Sequence, residues 1–413
     1  MSEVKKIPEG WLETTLLDVT SFLGDGLHGT PNYSDDGEYY FINGNNLNDG
    51  KIEIKPETKR CSIDEYNKYK KNLNDRTILV SINGSLGYFA YYNNEKCILG
   101  KSACYFNIKN EIDKHFVGYI IQSNHFQKYI ERLAGGTTIK NVSLKTMREY
   151  PFIIPKDINE QKSIAQILTA FDNKIELLQA QNKTLEATAQ TIFAEWFGKY
   201  SVDDELPEGW KVRKLSDLVE KISKGTTATK DDLIGLDGEI PFLKVKDISN
   251  DGLILKNNLE LIPKSVHENQ LKRSILETND ILFSIAGTIG RLAIVDLEMN
   301  NANCNQALAF IRLKDKCIHL EYIHLWLKSK ETQDVIISNI VQGVQANVSL
   351  TVLGNLLLLI PNSETITNWC KLIKPIYLKL QTNTEQIQTL AKTRDELLPR
   401  LMSGEVRVNE FKK

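Results

Sequence analysis

Few residues of this 413-residue chain stand in patterns that cofactor binding or catalysis requires. The clearest is Gly24-Asp-Gly-Leu-His-Gly29, which fits the G-x-G-x-x-G spacing of a dinucleotide-binding loop. In such a loop the glycines lead into a helix whose N-terminus receives the pyrophosphate. Here they lead into Thr30-Pro-Asn32 and Ser34-Asp-Asp-Gly37, which are turn sequences. We therefore expect no dinucleotide at this segment.

Other catalytic signatures are missing or incomplete. The tetrapeptide Asn/Asp-Pro-Pro-Tyr/Phe of amino-methyltransferases does not occur, and neither does the Gly-x-x-x-x-Gly-Lys-Ser/Thr loop of nucleotide hydrolases. Glu160-Gln-Lys162 matches the end of a nuclease carboxylate–lysine pattern, but no acidic residue stands at a suitable distance before it. These observations favour a chain that recognises a partner and is not itself an enzyme, with no cofactor or metal bound in the chain.

Composition restricts the class of protein further. Hydrophobic residues make up 41% and charged residues 25% of the chain, as in ordinary globular proteins. The net charge of −2 is uninformative about nucleic acids, because phosphate contacts need local basic clusters and not a basic total. The six scattered cysteines contain no C-x-x-C pair and are expected to be small buried hydrophobes in a reducing compartment. No secretory or membrane-spanning segment is recognisable, so we expect a cytoplasmic protein without a membrane partner.

Four segments of the first half return in the second half, in the same order and about 200 residues later. Matches in a constant order indicate an internal duplication, and the small drift in spacing is what loop insertions produce. The pairs are Ile7-Pro-Glu-Gly-Trp11 with Leu206-Pro-Glu-Gly-Trp210, Ile78-Leu-Val-Ser-Ile-Asn-Gly-Ser-Leu-Gly87 with Ile281-Leu-Phe-Ser-Ile-Ala-Gly-Thr-Ile-Gly290, Asn141-Val-Ser-Leu144 with Asn347-Val-Ser-Leu350, and Phe152-Ile-Ile-Pro155 with Leu358-Leu-Ile-Pro361.

Each half has the pattern of an α+β domain. Residues 77–82 and 280–285 are rich in apolar and β-branched side chains and run into a Gly-x-x-Gly turn, which predicts a strand and a tight turn. Residues 88–92 and 291–295 are predicted as the returning strands. Apolar residues at helical spacing predict one closing helix over 116–133 and another over 320–340.

A long amphipathic segment follows each domain. Residues 159–197 lack proline and glycine, and their apolar positions alternate steps of four and three, which is the seam of a coiled coil. A helix of ~38 residues is ~57 Å long. The alternative is two unrelated helices, each packed only on its own domain. The predicted seams are Ile164, Leu168, Phe171, Ile175, Leu178, Asn182, Leu185, Ala189, Ile192 and Trp196, and Trp369, Ile373, Ile376, Leu380, Asn383, Ile387, Leu390, Arg394, Leu397 and Leu401.

The polar seam residues distinguish the two ways in which such helices can pair. In a parallel pair, Asn182 would face Ile387 and Asn383 would face Leu178, which leaves two buried amides without a partner. In an antiparallel pair, Asn182 and Asn383 meet near the centre. A buried amide without a partner costs about 1–3 kcal/mol. We therefore predict antiparallel pairing with pseudo-twofold symmetry.

This order of domain, helix, domain and helix resembles the specificity subunit of type I restriction-modification systems, over essentially the whole chain. The paired Pro-Glu-Gly-Trp openings, Ser-Ile-x-Gly-x-x-Gly turns and Asn-Val-Ser-Leu closing segments carry the resemblance. The helix ends, Thr191-Ile-Phe-Ala-Glu-Trp-Phe197 and Arg394-Asp-Glu-Leu-Leu-Pro-Arg-Leu-Met-Ser-Gly-Glu405, are the most diagnostic. The expected division is a target recognition domain at 1–157, a helical spacer at 158–198, a second recognition domain at 199–361, a second spacer at 362–403, and a tail at 404–413 that either forms a strand on the first domain or frays.

The resemblance implies a subunit that binds a bipartite, asymmetric site in double-stranded DNA, one half-site per domain. It implies two methyltransferase (M) subunits docked on the paired helices, and restriction (R) subunits attached through them. S-adenosylmethionine, ATP and Mg²⁺ would then be bound by those partners. Two alternatives are a self-contained methyltransferase or nuclease with degenerate motifs, and a tandem protein-binding scaffold.

Under this interpretation, polar loop residues are the candidates for DNA contact, because loops on a rigid domain are natural readers. Asparagine pairs with adenine, and lysine pairs with guanine or phosphate. His28 is the one histidine considered. Loops that share repeat positions are expected to be scaffold. The candidates are Thr30, Asn32, Tyr33, Asn43, Asn45, Asn46, Ser85, Thr137, Thr138 and Lys140 in the first domain, and Lys224, Thr226, Thr227, Lys244, Lys246, Thr288, Arg291, Gln342, Gln345 and Asn347 in the second.

Overall fold

A computed structural model of the chain describes residues 7–136, 140–228, 237–250, 252–256, 259–314, 320–341 and 347–408. The chain forms two compact units. Unit 1 consists of Met1–Ile175 together with Gln388–Lys413, and unit 2 consists of Glu176–Ile387. Unit 1 therefore takes residues from both ends of the chain, whereas unit 2 is continuous.

Unit 1 is built around a four-stranded antiparallel sheet with the strand order β2-β10-β7-β8. Its strands are β1 Trp11–Thr15, β2 Thr20–Asp25, β3 Tyr39–Ile42, β4 Leu47–Asn48, β5 Lys51–Ile52, β6 Arg60–Cys61, β7 Thr77–Ser81, β8 Phe89–Tyr91, β9 Cys97–Leu99, β10 Ala103–Ile108 and β11 Pro151–Pro155. Its shorter helices are α1 Leu16–Val19, α2 Ile63–Tyr69, α3 Lys114–Gln122, α4 Asn124–Leu133 and α5 Leu144–Arg148.

The first long helix, α6, begins at Ile158 and ends at Phe197. Unit 2 then has strands β12 Lys211–Lys214, β13 Val219–Lys224, β14 Ile240–Leu243, β15 Glu260–Ile262, β16 Ile281–Ser284, β17 Leu292–Ile294, β18 Asn303–Cys304, β19 Leu308–Leu313 and β20 Leu357–Ile360. Its helices are α7 Leu215–Leu218, α8 Lys264–Glu268, α9 Leu320–Lys328, α10 Lys330–Val341 and α11 Leu350–Asn355, and the second long helix, α12, covers Ser363–Met402.

The two units repeat one topology, as the duplicated sequence predicts. The sheet of unit 2 has the order β13-β19-β16-β17 and is antiparallel throughout, which reproduces the order and direction of the sheet in unit 1. The predicted hairpins are confirmed as the pairs β7–β8 and β16–β17. Gly84 and Gly287 in their turns have φ values of +77° and +75°, which glycine adopts most readily.

The prediction of one closing helix in each domain is wrong, because each predicted helix is two helices. In unit 1 the break falls at Ser123, whose hydroxyl accepts a hydrogen bond from the Phe126 amide at 3.3 Å and so caps α4. In unit 2 the Ser329 hydroxyl accepts from the Thr332 amide at 3.3 Å and occupies the equivalent place before α10. A serine that satisfies a free amide at a helix start competes with continued helix, although the apolar periodicity carries on across it.

The core of unit 1 brings together residues from the beginning, middle and end of the chain. Trp11 packs in one buried cluster with Ile164 and Leu168 of α6 and with Leu401 and Met402 of α12. The segment after α12 joins the same cluster through Val406 and Val408. The tail therefore packs on the first domain, but its described residues form no strand.

The core of unit 2 is closed by an aromatic cluster between the two long helices and α9. The ring of Phe193 in α6 lies 6.1 Å from that of Trp369 in α12 and 5.3 Å from that of Tyr322 in α9. Trp369 is fully buried. Such pairs stabilise a core by about 0.5–1.5 kcal/mol beyond the apolar area that they bury.

The asparagine prediction is confirmed within unit 2. Asn383 Nδ2 donates a hydrogen bond to Asn182 Oδ1 at 2.9 Å, and both side chains are buried. Because Phe193 follows Asn182 while Trp369 precedes Asn383, the two helices run antiparallel in this unit. The described seam residues are buried or half-buried without exception: Ile164, Leu168, Phe171, Ile175, Leu178, Asn182, Leu185, Ile192, Ile373, Ile376, Leu380, Asn383, Ile387, Leu390 and Leu397.

In unit 1 a polar bridge joins the domain to both long helices. Tyr119 of α3 donates to Asp172 of α6 at 2.6 Å, and Arg394 of α12 donates to the other oxygen of that carboxylate at 2.7 Å. Burial, followed by the hydrogen bond to Asp172, raises the pKa of the Tyr119 phenol, which stays protonated as the donor. The bridge fixes α3 against a particular turn of each helix.

Unit 2 has a different bridge at the corresponding place. His324 of α9 shares a hydrogen bond with the hydroxyl of Tyr377 in α12 at 2.7 Å, and Lys328 pairs with Glu186 of α6 at 2.7 Å. Burial lowers the pKa of His324 to about 3, so the imidazole is neutral at physiological pH. Thus α3 in unit 1 and α9 in unit 2 are each linked to α6 and α12, but through different polar groups.

We predict that the amide pair sets register more than stability. In the described residues Asn383 Oδ1 is buried without a hydrogen-bond partner, so the pair is incompletely satisfied. Replacing one member, Asn182→Leu or Asn383→Leu, should lower the free energy of unfolding by about 1–3 kcal/mol, because the remaining buried amide loses its partner at 2.9 Å and keeps only a contact at 3.5 Å. The double replacement should recover most of that loss. Denaturant unfolding of all four proteins measures the coupling.

The matched control is Asn173→Leu at an exposed position of α6, which should change the free energy of unfolding by less than about 0.5 kcal/mol. A double variant as unstable as the sum of the two single variants would contradict the prediction.

Candidate nucleic-acid interface

The loops that contain most of the candidate residues of unit 1 lie together at one end of the strands of its sheet. Strands β2 and β7 both run antiparallel to β10, with Asp25 opposite Cys104 and Ser81 opposite Ala103. The ends of β2 and β7 therefore lie beside the start of β10. The loops at these three strand ends therefore lie on the same side of the domain. The end of β3 lies beside them, because the Gly100 amide donates to Ile42 O.

The turn at residues 100–102 holds these loops together. Its backbone accepts from Ile82 at 2.9 Å through Ser102 O, and the Ser102 hydroxyl accepts from the Gly44 amide at 2.9 Å. The Leu27 amide donates to Leu99 O at 2.7 Å. Gly26 lies so close that a Cβ there would fall 2.3 Å from Gly100 O, so only glycine fits. We call residues 26–34, 43–46, 82–87, 100–102 and 140–141 loop edge 1.

The Lys140 loop belongs to the same edge. The Gly84 amide donates to Lys140 O at 2.9 Å, and Asn83 forms a bridge with Asn141. The turn that carries Ser85 and the loop that carries Lys140 are thus neighbours, as a shared binding surface requires. Thr137 and Thr138 lie outside the described residues.

Unit 2 reproduces this arrangement. The Thr226 amide donates to Cys304 O at 3.1 Å, the Asn305 amide to Leu243 O at 2.9 Å, and the Ile285 amide to Ala307 O at 2.9 Å. The Val348 amide closes the set with a bond to Ile285 O at 2.9 Å. We call residues 225–228, 244–247, 285–290, 305–307 and 347–348 loop edge 2. Gln342 and Gln345 lie outside the described residues.

Many of the candidate side chains are exposed on these edges. Lys140 is exposed and pairs with Glu131 at 3.3 Å, a contact between solvated side chains that holds it only weakly. Tyr33 is 45% exposed beside Phe41. The candidates that are exposed are Thr30, Asn32, Tyr33, Asn45, Ser85 and Lys140, and Lys224, Thr227, Lys246, Thr288 and Asn347.

Two of the asparagine candidates serve the scaffold, which corrects the expectation for them. Asn46 is 4% exposed, and its side chain accepts from the Asn43 amide at 3.0 Å and donates to Glu53 O at 3.0 Å. Asn43 Oδ1 accepts from the Ser102 hydroxyl at 2.9 Å. The Asn46 amide thus binds backbone groups, the Asn43 amide binds a side chain of the turn at 100–102, and both tie the short turn to its neighbours. They have little left to offer a base.

Other candidates have partners that limit their freedom. The Asn32 side chain donates to Glu65 at 3.2 Å, and its backbone amide donates to the same carboxylate at 2.9 Å. Lys244 is half-buried and pairs with Glu260. Half-buried Thr226 accepts from Arg273 Nε at 3.4 Å.

Arg291 is held inside unit 2 by backbone carbonyls. Its Nη1 atom donates to Ile248 O at 2.9 Å and to Val245 O at 3.3 Å, and the side chain is half-buried. These bonds fasten the hairpin of β16 and β17 to the short turn of loop edge 2. We interpret Arg291 as a positioning residue and no longer as a base contact.

The Gly-x-x-Gly turns are scaffold, as their shared repeat position suggests. The Ser81 hydroxyl donates to Ser85 O at 2.5 Å and accepts from the Tyr88 amide at 3.0 Å. In unit 2 the Ser284 hydroxyl makes the same two bonds, to Thr288 O at 2.6 Å and from the Arg291 amide at 2.7 Å. The turn is therefore identical in both copies, and only the side chains at its tip differ.

The motifs that suggested other chemistry are engaged structurally. Gly24 and Asp25 end strand β2, and His28 pairs with Asp25 at 2.6 Å in the loop that follows. Glu160 accepts from the Trp11 indole at 3.3 Å and pairs with Arg407 at 3.5 Å. Both sets of contacts fix elements of unit 1.

Within the described ranges, no three His, Cys, Asp or Glu side chains are grouped so that they could hold a metal ion. The cysteines described there, Cys61, Cys97, Cys104, Cys304 and Cys370, are buried thiols, and burial raises the pKa of the Cys97 thiol to about 12. No helix in the same part of the chain is both long and apolar enough to cross a bilayer.

The sequence interpretation missed the turns that precede the central strands. Residues 100–102 and 305–307 contain no motif and lie far along the chain from the loops that they join. If β10 and β19 had been aligned as copies of one strand, Lys101 and Gln306 would have fallen at the same repeat position. That position is polar in both copies but differs in residue type. The structure adds that both side chains are exposed.

The interpretation of Arg291 gives a test. Arg291→Ala should lower the free energy of unfolding by about 1–3 kcal/mol, because the Ile248 carbonyl loses its donor and the Val245 carbonyl keeps only the Ile248 amide. Base preference in DNA binding should remain unchanged once the variant is folded. Lys246→Ala, at an exposed position of the same edge, is the control and should leave stability unchanged within about 0.5 kcal/mol. An altered base preference in Arg291→Ala would contradict the positioning role.

Comparison with known proteins assigns the family. The sequence model of the type I restriction modification DNA specificity domain matches residues 8–187 and again residues 207–392. The specificity subunit of the type I restriction enzyme MjaIX of Methanocaldococcus jannaschii is 24% identical, over 99% of this chain and 96% of that protein. The specificity subunit of the type I restriction enzyme EcoBI of Escherichia coli is 26% identical, over 65% of this chain and 60% of that protein.

A solved structure agrees at the level of the fold. The S subunit of a type I restriction-modification system from M. genitalium superimposes with a TM-score of 0.58 at 18% sequence identity, over 97% of this chain and 98% of that one. Since the family model matches both halves, this chain belongs to the type I restriction modification DNA specificity family, with two tandem copies of its domain, and is a specificity subunit and not an enzyme.

Proposed function

We propose that this chain reads a bipartite, asymmetric DNA site, with one half-site for each loop edge. The observation that carries the proposal is that one backbone arrangement presents different exposed side chains in its two copies. The last residue of β2 is Asp25, which is half-buried and paired with His28, whereas the last residue of β13 is the exposed Lys224. The middle residue of the short turn is Asn45 in one copy and Lys246 in the other. A shared scaffold with different side chains is suited to reading two different sequences.

The charge on the two edges supports a division between base contacts and phosphate contacts. Loop edge 2 and the strand end beside it carry Lys224 and Lys246, both exposed, and each such lysine can neutralise a phosphate and release a counterion. Loop edge 1 also carries two exposed lysines, Lys101 and Lys140, beside the exposed neutral side chains of Asn45 and Ser85. Hydrogen bonds from such polar side chains to base edges carry the sequence information, whereas phosphate contacts do not. These exposed lysines can attract DNA phosphates locally, although the net charge of the whole chain is −2.

We propose that the target recognition domains are residues 1–157 and 199–361, and that α6 and α12 pair as an antiparallel coiled coil which acts as the spacer. Linking two readers makes the second binding event intramolecular, so two modest half-sites give high combined affinity. A stiff helical linker would also make the gap between half-sites a geometric constant. The Asn182–Asn383 hydrogen bond and the buried seam support this role.

The partners proposed are double-stranded DNA, two methyltransferase subunits on the paired helices, and restriction subunits bound through them. Membership of a type I restriction modification specificity family supports these partners. S-adenosylmethionine, ATP and Mg²⁺ would be bound by the partners, and this chain would supply the choice of sequence.

The experiment that tests the proposal is reconstitution with the methyltransferase subunits of the same host, followed by sequencing of the methylated positions in host DNA. We expect one bipartite motif. Exchanging residues 1–157 for the same domain of a relative should change one half-site and leave the other intact. Methylation without a sequence preference, or loss of both half-sites after one exchange, would refute the proposal.

Two controls separate the alternatives. The purified chain alone, incubated with DNA and labelled S-adenosylmethionine, should incorporate no label, and incorporation would indicate a self-contained methyltransferase. The complex of the chain with methyltransferase subunits should shift a duplex that contains the motif. Failure to bind DNA in a correctly assembled complex would indicate a protein scaffold.

The spacer role predicts a change in the gap between half-sites. Inserting one heptad into α6 between 175 and 178, and one into α12 between 387 and 390, keeps Asn182 and Asn383 in register. Seven residues lengthen a helix by ~10 Å, which is about three base pairs of DNA. The methylated motif should keep both half-sites and gain a spacer about three base pairs longer. An unchanged spacer in a folded, active complex would rule out the role of the helices as a ruler.

A further inference from the structure

The turn before the central strand of each sheet carries one exposed polar side chain that the duplication places at the same position. Lys101 lies two residues before β10, and Gln306 lies two residues before β19. We propose that Lys101 and Gln306 are equivalent base-reading residues, Lys101 for a guanine in one half-site and Gln306 for an adenine in the other. The inference rests on the proposed DNA-recognition function and assigns side chains to it.

The backbone around Lys101 is fixed while its side chain is not. The Ala103 amide donates to Gly100 O at 3.0 Å and closes the turn, and the Gly100 amide donates to Ile42 O at 2.8 Å. Ile82 and Gly44 bind Ser102 from the two neighbouring loops. To the residues that the structure describes, the Lys101 ammonium makes no hydrogen bond or ion pair, unlike Lys140, which faces Glu131. A fixed backbone that carries an exposed ammonium without a protein partner among the described residues is the arrangement expected of a residue that contacts DNA.

Gln306 occupies the same turn in unit 2 and is oriented by a neighbour. The Leu308 amide donates to Asn305 O at 3.1 Å and closes the turn. The Thr227 hydroxyl donates a hydrogen bond to Gln306 Oε1, which orients the side-chain amide. The Nε2 donor then lies on the other side of the amide from Thr227. Thr227 is itself exposed on loop edge 2. Two polar side chains from different loops therefore meet at the centre of this edge.

The chemistry of the two side chains determines what each can read. A lysine ammonium only donates, so it matches the O6 and N7 acceptors that guanine presents in the major groove. A glutamine amide both donates and accepts, so it matches the N6 donor and N7 acceptor of adenine. Since the flanking backbone bonds are the same in both units, the scaffold does not account for the difference between Lys101 and Gln306.

Position favours bases over phosphates for these two residues. The turn lies among all the other loops of its edge and is bonded directly to the loops that follow β2 or β13, β3 or β14, and β7 or β16. The Lys140 loop is bonded to the Gly84 turn, and its ammonium pairs with Glu131. Phosphate contacts carry no sequence information, whereas a central side chain that differs between the copies does.

The test exchanges the two residues in the complete complex of this chain with its methyltransferase subunits. Binding is measured on duplexes randomised at one base pair at a time within the motif found for the unaltered chain. Lys101→Gln should move the preference at one base pair of the first half-site from guanine to adenine, by about tenfold to a hundredfold. Gln306→Lys should move one base pair of the second half-site in the opposite direction. All other positions should keep their preference.

Matched controls are Lys109→Gln and Lys314→Gln, which the repeat places at the opposite ends of β10 and β19. Six strand residues separate them from the turns by ~20 Å. The Lys109 ammonium donates to the carbonyl of Asp18 at 2.7 Å, and the Lys314 ammonium donates to that of Asp217 at 2.9 Å. Both controls should keep the base preference of the unaltered chain.

Two outcomes would overturn the inference. Unchanged base preference in both exchanged variants would remove these residues from the contact surface. Weaker binding to all sequences by Lys101→Gln, with a smaller dependence on salt, would identify a phosphate contact. If the unaltered complex shows no bipartite preference, the proposed function itself fails, and this result is distinguishable because it precedes any substitution.

Discussion

The register between the two long helices is the constraint on which the architecture depends. Each long helix supplies buried side chains to both cores. The helix α6 gives Leu168 to unit 1 and Phe193 to unit 2, and α12 gives Leu401 to unit 1 and Trp369 to unit 2. Sliding one helix along the other would withdraw all of these at once. The buried hydrogen bond from Asn383 to Asn182 opposes such sliding, because any other register leaves two amides in apolar surroundings. A polar contact of modest strength thus favours the same alignment as the apolar packing.

The polar bridges extend this control from the helices to the domains. In unit 1 the carboxylate of Asp172 is shared between Tyr119 and Arg394, and in unit 2 His324 and Lys328 reach α12 and α6 separately. The two solutions use different chemistry for the same purpose. Since neither bridge lies on a loop edge, the domain surface can change without disturbing how α3 or α9 is seated. Recognition and scaffold are therefore carried by different residues.

Sequence reasoning reached the features that depend on local pattern or on repetition. The hairpins of β7 and β16, the long helices and the meeting of two asparagines followed from spacing and duplication. It failed where a single polar atom decides the structure. Ser123 and Ser329 divide helices whose apolar period continues unbroken, and the Asn46 amide is bonded to the backbone of Asn43 and Glu53. It also passed over Lys101, because the importance of that turn arises from backbone bonds to residues 27, 44 and 82, which are distant in the chain.

The packing of Val406 and Val408 with Trp11 has a consequence for synthesis on the ribosome. Unit 2 is continuous from Glu176 to Ile387, so all of its residues are synthesised before the last helix is finished. Unit 1 begins first but needs Leu401 and Met402 to complete its core. The domain translated first is therefore completed last. Part of its apolar core stays exposed until Leu401 and Met402 have been synthesised. Translation that ends early would leave the second domain able to close and the first one open.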